Sequence, residues 1–87
     1  MKRYIIDGNE FVTRKSGYNH LTKVFGFSES FGNNLDALWD ELTELEDVEI
    51  VIENAREIPR LLEDYGLKIL DVFGDLYDEG IELKIYW

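Results

Sequence analysis

Apolar residues along this chain follow two different periods, and each period predicts a different kind of element. Three segments have the length and apolar pattern of strands, namely Lys2–Ile6, Val48–Glu53 and Ile81–Trp87. The first is followed by Asp7-Gly8, a dipeptide that favours a turn. We therefore predict three strands, and we consider the apolar pair Phe11-Val12 a candidate for the short second arm of a hairpin with the first strand.

Four further segments have apolar residues three and four positions apart, the spacing of amphipathic helices. They lie at residues 13–26, 35–45, 59–66 and 69–80. Thr13 and Asn33 are candidate caps of the first two helices, because their side-chain oxygens can accept hydrogen bonds from free backbone N–H groups. We expect Gly66 to end the third helix. Gly74 falls inside the fourth, where glycine costs about 1 kcal/mol relative to alanine.

The order of these elements is strand, helix, helix, strand, helix, helix, strand. Strands joined by helical crossovers favour a parallel sheet with right-handed connections. The continuous apolar run Ile50-Val51-Ile52 is typical of a strand covered on both faces. We therefore predict an α/β fold in which a small three-stranded parallel sheet packs with about four helices, and residues 1–87 form a single domain.

Charge narrows the range of functions. The chain has nineteen acidic and nine basic residues, a formal net charge of −10. Such a chain repels phosphate backbones, so we expect no nucleic-acid ligand, whereas cationic proteins are attracted to it. High solubility is a plainer explanation of the same charge, because net charge bears on association and not on fold.

Cysteine usage and the first residues bear on location. There is no cysteine, which fits a reducing compartment and excludes thiolate chemistry. The apolar run Tyr4–Ile6 after Lys2-Arg3 is too short for a signal peptide, and no apolar stretch reaches the length of a membrane span. We expect a cytoplasmic protein that has no membrane contact and no cofactor and is monomeric when free.

The second predicted helix carries the most suggestive polar pattern. At 100° per residue, Asp36, Asp40 and Thr43 form one stripe, and Trp39 lies between that stripe and the apolar face. A second acidic stripe, Asp71, Asp75 and Asp78, lies on the last helix. If both stripes face the same side, they form a negative patch with an aromatic edge. The alternative is that both are ordinary solvated faces and that Trp39 belongs to the core.

Other chemistries fit less well. Paired carboxylates can act as a general acid and base, but such enzymes need a substrate cleft that a chain of this size rarely provides. Asp7-Gly8-Asn9-Glu10 lacks the alternating oxygen ligands of a calcium loop. His20 lies on a predicted helix with no evident partner for nucleophilic catalysis. We expect neither catalytic residues nor a metal site.

The segment Phe31–Asp40, with the sequence FGNNLDALWD, and the Leu42-Thr43 pair after it resemble the signature of the barstar family of ribonuclease inhibitors. Weaker resemblance extends to Ile6–Gly8 and to the last helix and strand. The resemblance implies a three-stranded parallel sheet packed on helices. It also implies an inhibitor whose second helix and preceding loop enter the substrate groove of a basic ribonuclease, where acidic side chains take the place of RNA phosphates.

The resemblance carries partner-binding roles over to this chain residue by residue. The matching positions are Asn34, Leu35, Asp36, Trp39, Asp40 and Thr43. By the resemblance, Asp40 is the central phosphate mimic, Asp36 a second charge, and Leu35 and Trp39 apolar contacts.

Three positions depart from the family pattern. Ser30 stands where the family often has an aromatic residue, Asp75 where it has a glutamate, and Asn54 where it has another aromatic. We include Ser30 and Asp75 among the expected contacts. The expected partner is a basic extracellular-type ribonuclease or a ribonuclease toxin. If it is a toxin, the chain is an immunity protein. The alternative is an acidic interaction module for another basic protein or toxin.

Overall fold

A computed structural model describes all 87 residues, and its centre is a three-stranded sheet. The strands are β1 (Lys2–Asp7), β2 (Val48–Glu53) and β3 (Glu82–Ile85). They are parallel and lie in the order β1-β2-β3. Because every connection runs between neighbouring strands, the sheet keeps the chain order and β2 is its central strand. The predicted three-stranded parallel sheet is confirmed.

Four helices and two short 3₁₀ turns connect the strands. The helices are α1 (Arg14–Phe25), α2 (Leu35–Thr43), α3 (Glu57–Leu62) and α4 (Asp64–Asp75), and the 3₁₀ turns cover Gly8–Glu10 and Leu76–Glu79. None of the helices has the length and apolar character needed to cross a membrane. The α/β class with four helices is therefore as predicted.

The helices pack on one face of the sheet. Sixteen buried residues form one hydrophobic cluster, and β2 contributes Val48, Ile50 and Ile52, which alternate along the strand and so share a face. On the opposite face Ile5 is 48% exposed. The expectation that β2 is covered on both faces is confirmed by its burial from Val48 to Ile52, but helices provide that cover on one face only.

Val51 is nevertheless only 7% exposed on that second face. Its neighbours in register are Ile5 on β1 and Lys84 on β3. Beside them, the Glu49 carboxylate accepts a hydrogen bond from Arg3 Nε at 2.6 Å and lies 3.1 Å from Lys84 Nζ. We call this surface, made of Arg3, Ile5, Glu49, Val51 and Lys84, the open sheet face. Cross-strand side chains take the place of a helical layer there.

The predicted hairpin arm at Phe11-Val12 does not form. The chain turns through Gly8–Glu10 instead, and the side chain of Phe11 is fully buried. A Cβ atom on Gly17 would lie only 2.5 Å from the Phe11 ring, so the glycine is what lets α1 approach that ring closely. Val12 is exposed and begins no strand. The apolar character of Phe11 therefore serves the core.

Several helix boundaries differ from prediction. The third helix begins at Glu57 instead of residue 59, and the fourth runs from Asp64 to Asp75 instead of covering residues 69–80. Asn34, not Asn33, caps α2, and Asn33 adopts a left-handed backbone with φ of 49°. Gly66 does not end a helix but lies in the first turn of α4. A Cβ atom there would lie 2.4 Å from the carbonyl oxygen of Ile58, so the glycine permits close contact between α3 and α4. The chain changes direction at Glu63, whose φ is 55°.

Candidate functional site

The helix α2 is amphipathic, and its capping fixes how its polar side is presented. Asn34 Oδ1 accepts a hydrogen bond from the Ala37 N–H at 2.8 Å, which satisfies a free donor of the first turn. Leu38 and Leu42 are fully buried in the core. Their burial turns the opposite side of the helix, with its carboxylates, outward.

Facing side chains of α2 and α4 line an open hollow of about 490 Å³. The lining residues are Leu35, Asp36, Trp39, Asp40, Val72 and Asp75. We call it the acidic hollow. Trp39 and Leu35 are half-buried and pack against the core, so they form an apolar floor that is still accessible. The structure thus places five of the eight predicted contact residues around a single hollow.

The three carboxylates of the hollow have no cationic partner within the chain. The protein has four ion pairs, and none of them includes Asp36, Asp40 or Asp75. All three are exposed, and Asp36 and Asp40 stand one helical turn apart, a spacing at which like charges destabilise a helix by a few tenths of a kcal/mol, about 0.2–0.5. Asp36 lies in the first turn, where the helix dipole favours a carboxylate, and its repulsion with Asp40 opposes that gain. The three carboxylates together concentrate negative charge around an apolar surface.

The remaining three predicted contact residues lie outside the lining of the hollow. Ser30 is exposed in the loop before α2, where its hydroxyl lies 2.8 Å from that of Ser28. Asn34 also donates from Nδ2 to the carbonyl oxygen of Gly32 at 3.1 Å, so its amide is already used locally. Thr43 donates its hydroxyl to the Trp39 carbonyl at 2.9 Å. Their role in binding stays a prediction.

The sequence pattern did not predict Val72 as a lining residue, and it placed two aspartates in the second acidic stripe that do not line the hollow. Val72 lies three residues before Asp75 on α4, so the two share a face, and that spacing was the available signal. Asp71 and Asp78 are exposed but do not line the hollow. Asp78 belongs to the 3₁₀ turn, where the helical period that predicted the stripe no longer applies.

The single histidine has a structural hydrogen-bond partner. His20 Nε2 accepts a hydrogen bond from the backbone N–H of Asp7 at 2.9 Å, where β1 ends. Its ring also meets the edge of Phe11 at a centroid distance of 6.1 Å. These contacts join α1 to the end of β1.

The chemistry of the acidic hollow suits a cationic protein surface. Carboxylates are strong acceptors for arginine and lysine, and a guanidinium group can in addition stack on an aromatic face such as that of Trp39. Apolar surface beside the charges excludes water, and this strengthens each charge contact that forms there.

Comparison with known proteins identifies the family of the chain. The family model described as "Barstar (barnase inhibitor)" matches residues 1–86. The chain belongs to the barstar family. It is also similar to a protein of Bacillus subtilis (strain 168) named "Putative ribonuclease inhibitor YrdF", with 32% identity over 81 residues, which cover 91% of this chain and 89% of that protein. The predicted resemblance to barstar is therefore confirmed over nearly the whole chain.

Proposed function

We propose that this barstar-family protein inhibits a basic microbial ribonuclease by covering its active site with α2 and the loop before it. The supporting observation is the acidic hollow, where three carboxylates without intramolecular partners surround an apolar floor. A ribonuclease active site must hold RNA phosphates with cationic side chains. Carboxylates in a fixed arrangement can occupy those same positions and exclude the substrate.

The proposal assigns different roles to the lining residues. Asp40 is the central phosphate mimic, as the family resemblance implies. It lies beside Trp39, whose ring would exclude water from the charge contact once a partner covers the hollow. Asp36 and Asp75 add charge from the two walls of the hollow. Leu35 and Trp39 supply apolar contact, and Ser30, Asn34 and Thr43, which lie outside the lining of the hollow, are further contacts.

The protein acts by binding and not by turnover in this proposal. An acidic inhibitor that resides in the cytoplasm would protect the RNA of the cell that makes or receives the enzyme. The partner is then an extracellular-type ribonuclease or a ribonuclease toxin, and in the second case the chain is an immunity protein. The net charge of −10 favours encounter with such basic proteins.

Titration of RNA cleavage tests the proposal directly. A panel of basic guanyl-specific ribonucleases is assayed with increasing amounts of the protein. We expect cleavage by at least one member to stop near one equivalent, with a 1:1 complex by calorimetry. Full activity across the panel, together with no basic partner in a pull-down from secreted proteins of the source cell, would contradict the proposal.

A second candidate is an interaction module for a basic protein or toxin that is not a ribonuclease. The departures at Ser30 and Asn54 favour it, because small polar side chains replace aromatic ones that the family often uses. The pull-down separates the two candidates. A basic partner that has no RNA-cleaving activity would support the second.

A further inference from the structure

The loop between α1 and α2 is closed at its base by two phenylalanine rings that contact each other in a tilted arrangement, with planes 39° apart. The rings of Phe27 and Phe31 have centroids 4.6 Å apart. Between them lies an exposed tip of three residues, Ser28–Ser30. The Phe31 N–H donates to the Ser28 carbonyl at 3.0 Å, so the tip is a tight turn whose two ends meet at the ring pair.

Each ring of the pair is fastened to the body of the protein. Phe27 stacks on Phe25 at the end of α1, with centroids 5.4 Å apart and planes 12° apart. Phe31 meets the edge of Tyr18, which is 2% exposed, at 5.9 Å. The Tyr18 hydroxyl is in turn hydrogen-bonded to that of Tyr65 on α4. The two ends of the tip are therefore tied to different positions on the core.

Such ties matter because three exposed residues otherwise remain free to move. Fixing the backbone of one residue costs about 1–2 kcal/mol, and a loop that is disordered before binding must meet this cost when it binds. If only a fraction of molecules holds the competent loop, the apparent Kd rises by the inverse of that fraction. A loop ordered in advance avoids this loss.

We propose that the Phe27–Phe31 ring pair is a clasp that orders the Ser28–Ser30 tip before the partner arrives, and that Phe27 is a positioning residue for binding. The role of Phe27 in partner binding rests on the proposed inhibitory function. Phe27 itself lies outside the acidic hollow and acts through the tip, not through a charge contact.

The test compares Phe27→Leu and Phe27→Ala with the conservative variant Phe27→Tyr. Amide hydrogen exchange at Phe31, measured in the free protein, reports on the tip directly. We expect exchange about tenfold faster or more in the two variants without a ring, and near wild type in Phe27→Tyr. Affinity for the inhibited ribonuclease should fall by about tenfold to a hundredfold, mainly through a slower on-rate, and Phe27→Tyr should restore it.

Leu62→Ala is the matched control. Leu62 is a half-buried residue of α3 that also packs against the core, so its truncation costs folding stability without touching the loop. At equal loss of melting temperature, this control should leave both the Phe31 exchange rate and the on-rate unchanged. A merely structural role for Phe27 predicts that both truncations behave alike.

Two results would overturn the clasp. The first is unchanged Phe31 exchange in Phe27→Leu, which remains informative even if Phe27→Ala does not fold. The second is faster exchange with unaltered affinity, which would show that the tip plays no part in binding. Failure of the wild-type protein to inhibit any ribonuclease is a different result, because it defeats the proposed function while the exchange measurement still decides whether the clasp orders the tip.

Discussion

The acidic hollow and the open sheet face use carboxylates in opposite ways. On the open sheet face, Glu49 is buried and held between Arg3 and Lys84, which come from the two flanking strands. In the hollow, three aspartates stand exposed without any cation. A paired carboxylate contributes to folding, whereas an unpaired cluster leaves its charge available for a partner. The difference separates residues that maintain the fold from residues available for binding.

Asp40→Ala tests this difference most directly. We expect it to weaken ribonuclease binding by about 4–8 kcal/mol, the range of top hot spots, because the cations of the enzyme are left buried and unpaired. The upper end of that range belongs to an aspartate of barstar itself, so the magnitude is taken over from the family. Calorimetric titration of wild type and variant measures the loss.

The same substitution should not destabilise the folded protein. Removal of one carboxylate relieves repulsion with Asp36, worth about 0.2–0.5 kcal/mol, so the melting temperature should stay level or rise slightly. Asp71→Ala is the control, since it removes an exposed aspartate of α4 outside the hollow. An affinity loss below about tenfold for Asp40→Ala, equivalent to 1.4 kcal/mol, would place the inhibitory surface elsewhere.

Salt dependence tests whether the unpaired charges guide encounter. At low salt, electrostatic attraction should lift the on-rate from roughly 10⁵–10⁶ toward 10⁸–10⁹ M⁻¹s⁻¹. Rising ionic strength should slow association steeply and change dissociation far less. Stopped-flow association at several salt concentrations measures both rates. An on-rate that does not vary with salt would reject steering by the acidic hollow.

The sequence predicted one wall of the hollow better than the other. α2 is foreseeable because its cap, its apolar period and its acidic stripe all lie within one short segment. The α4 wall depends on how two helices cross, which only tertiary packing decides. Val72 was therefore not predicted, and of the stripe Asp71, Asp75 and Asp78 only Asp75 lines the hollow. Asn33 and Asn34 offer the same capping chemistry, and only the left-handed backbone at Asn33 separates them.

The sequence pattern did not predict the open sheet face either. A continuous apolar run on β2 predicts cover on both faces, but periodicity does not reveal that a salt-bridged carboxylate replaces one helical layer. Glu49, next to that run, becomes intelligible only when the register brings Arg3 and Lys84 beside it.

Glu49→Gln should affect the fold and leave binding unchanged. The variant keeps the shape of the side chain but removes the charge between Arg3 and Lys84, so we expect a lower melting temperature with unaltered affinity for the ribonuclease. Glu82→Gln is the matched control, because Glu82 is the exposed register neighbour of Glu49 on β3 and forms no ion pair. Equal melting temperatures for the two variants would show that the paired charge of Glu49 does not stabilise the fold.

The pH dependence of stability refines the same point. Hydrogen bonds from Lys84 and then Arg3 hold the pKa of Glu49 below its ordinary value of 4.5. A carboxyl whose pKa is lower in the folded state stabilises that state fully at pH values above its ordinary pKa. This stabilisation is lost as the pH falls through the lowered pKa. The pKa of Lys84 is raised from 10.5 by the same contact with Glu49. The stabilisation that Lys84 contributes is therefore lost as the pH rises through the raised pKa.

Denaturant midpoints between pH 3 and pH 11 measure this dependence. In Glu49→Gln both the acid and the alkaline losses should become smaller than in wild type, whereas Asp40→Ala should leave them in place. The Glu57–Arg60 pair is intact in every variant, so its own acid loss cancels when the curves are compared. Curves for Glu49→Gln that parallel the wild type would contradict the role of the open sheet face.

The smallest expected effect is at Gly74, next to the hollow on α4. A Cβ atom at this position would meet nothing within 4 Å, so alanine fits without strain. Gly74→Ala should therefore stabilise the protein by about 0.5–1 kcal/mol, through the lower backbone entropy of the unfolded chain. Because Gly74 lies beside Asp75 but does not line the hollow, affinity should not change. A stabilised variant that binds more weakly would show that the partner contacts the α4 backbone here, and the binding surface would then extend past Asp75.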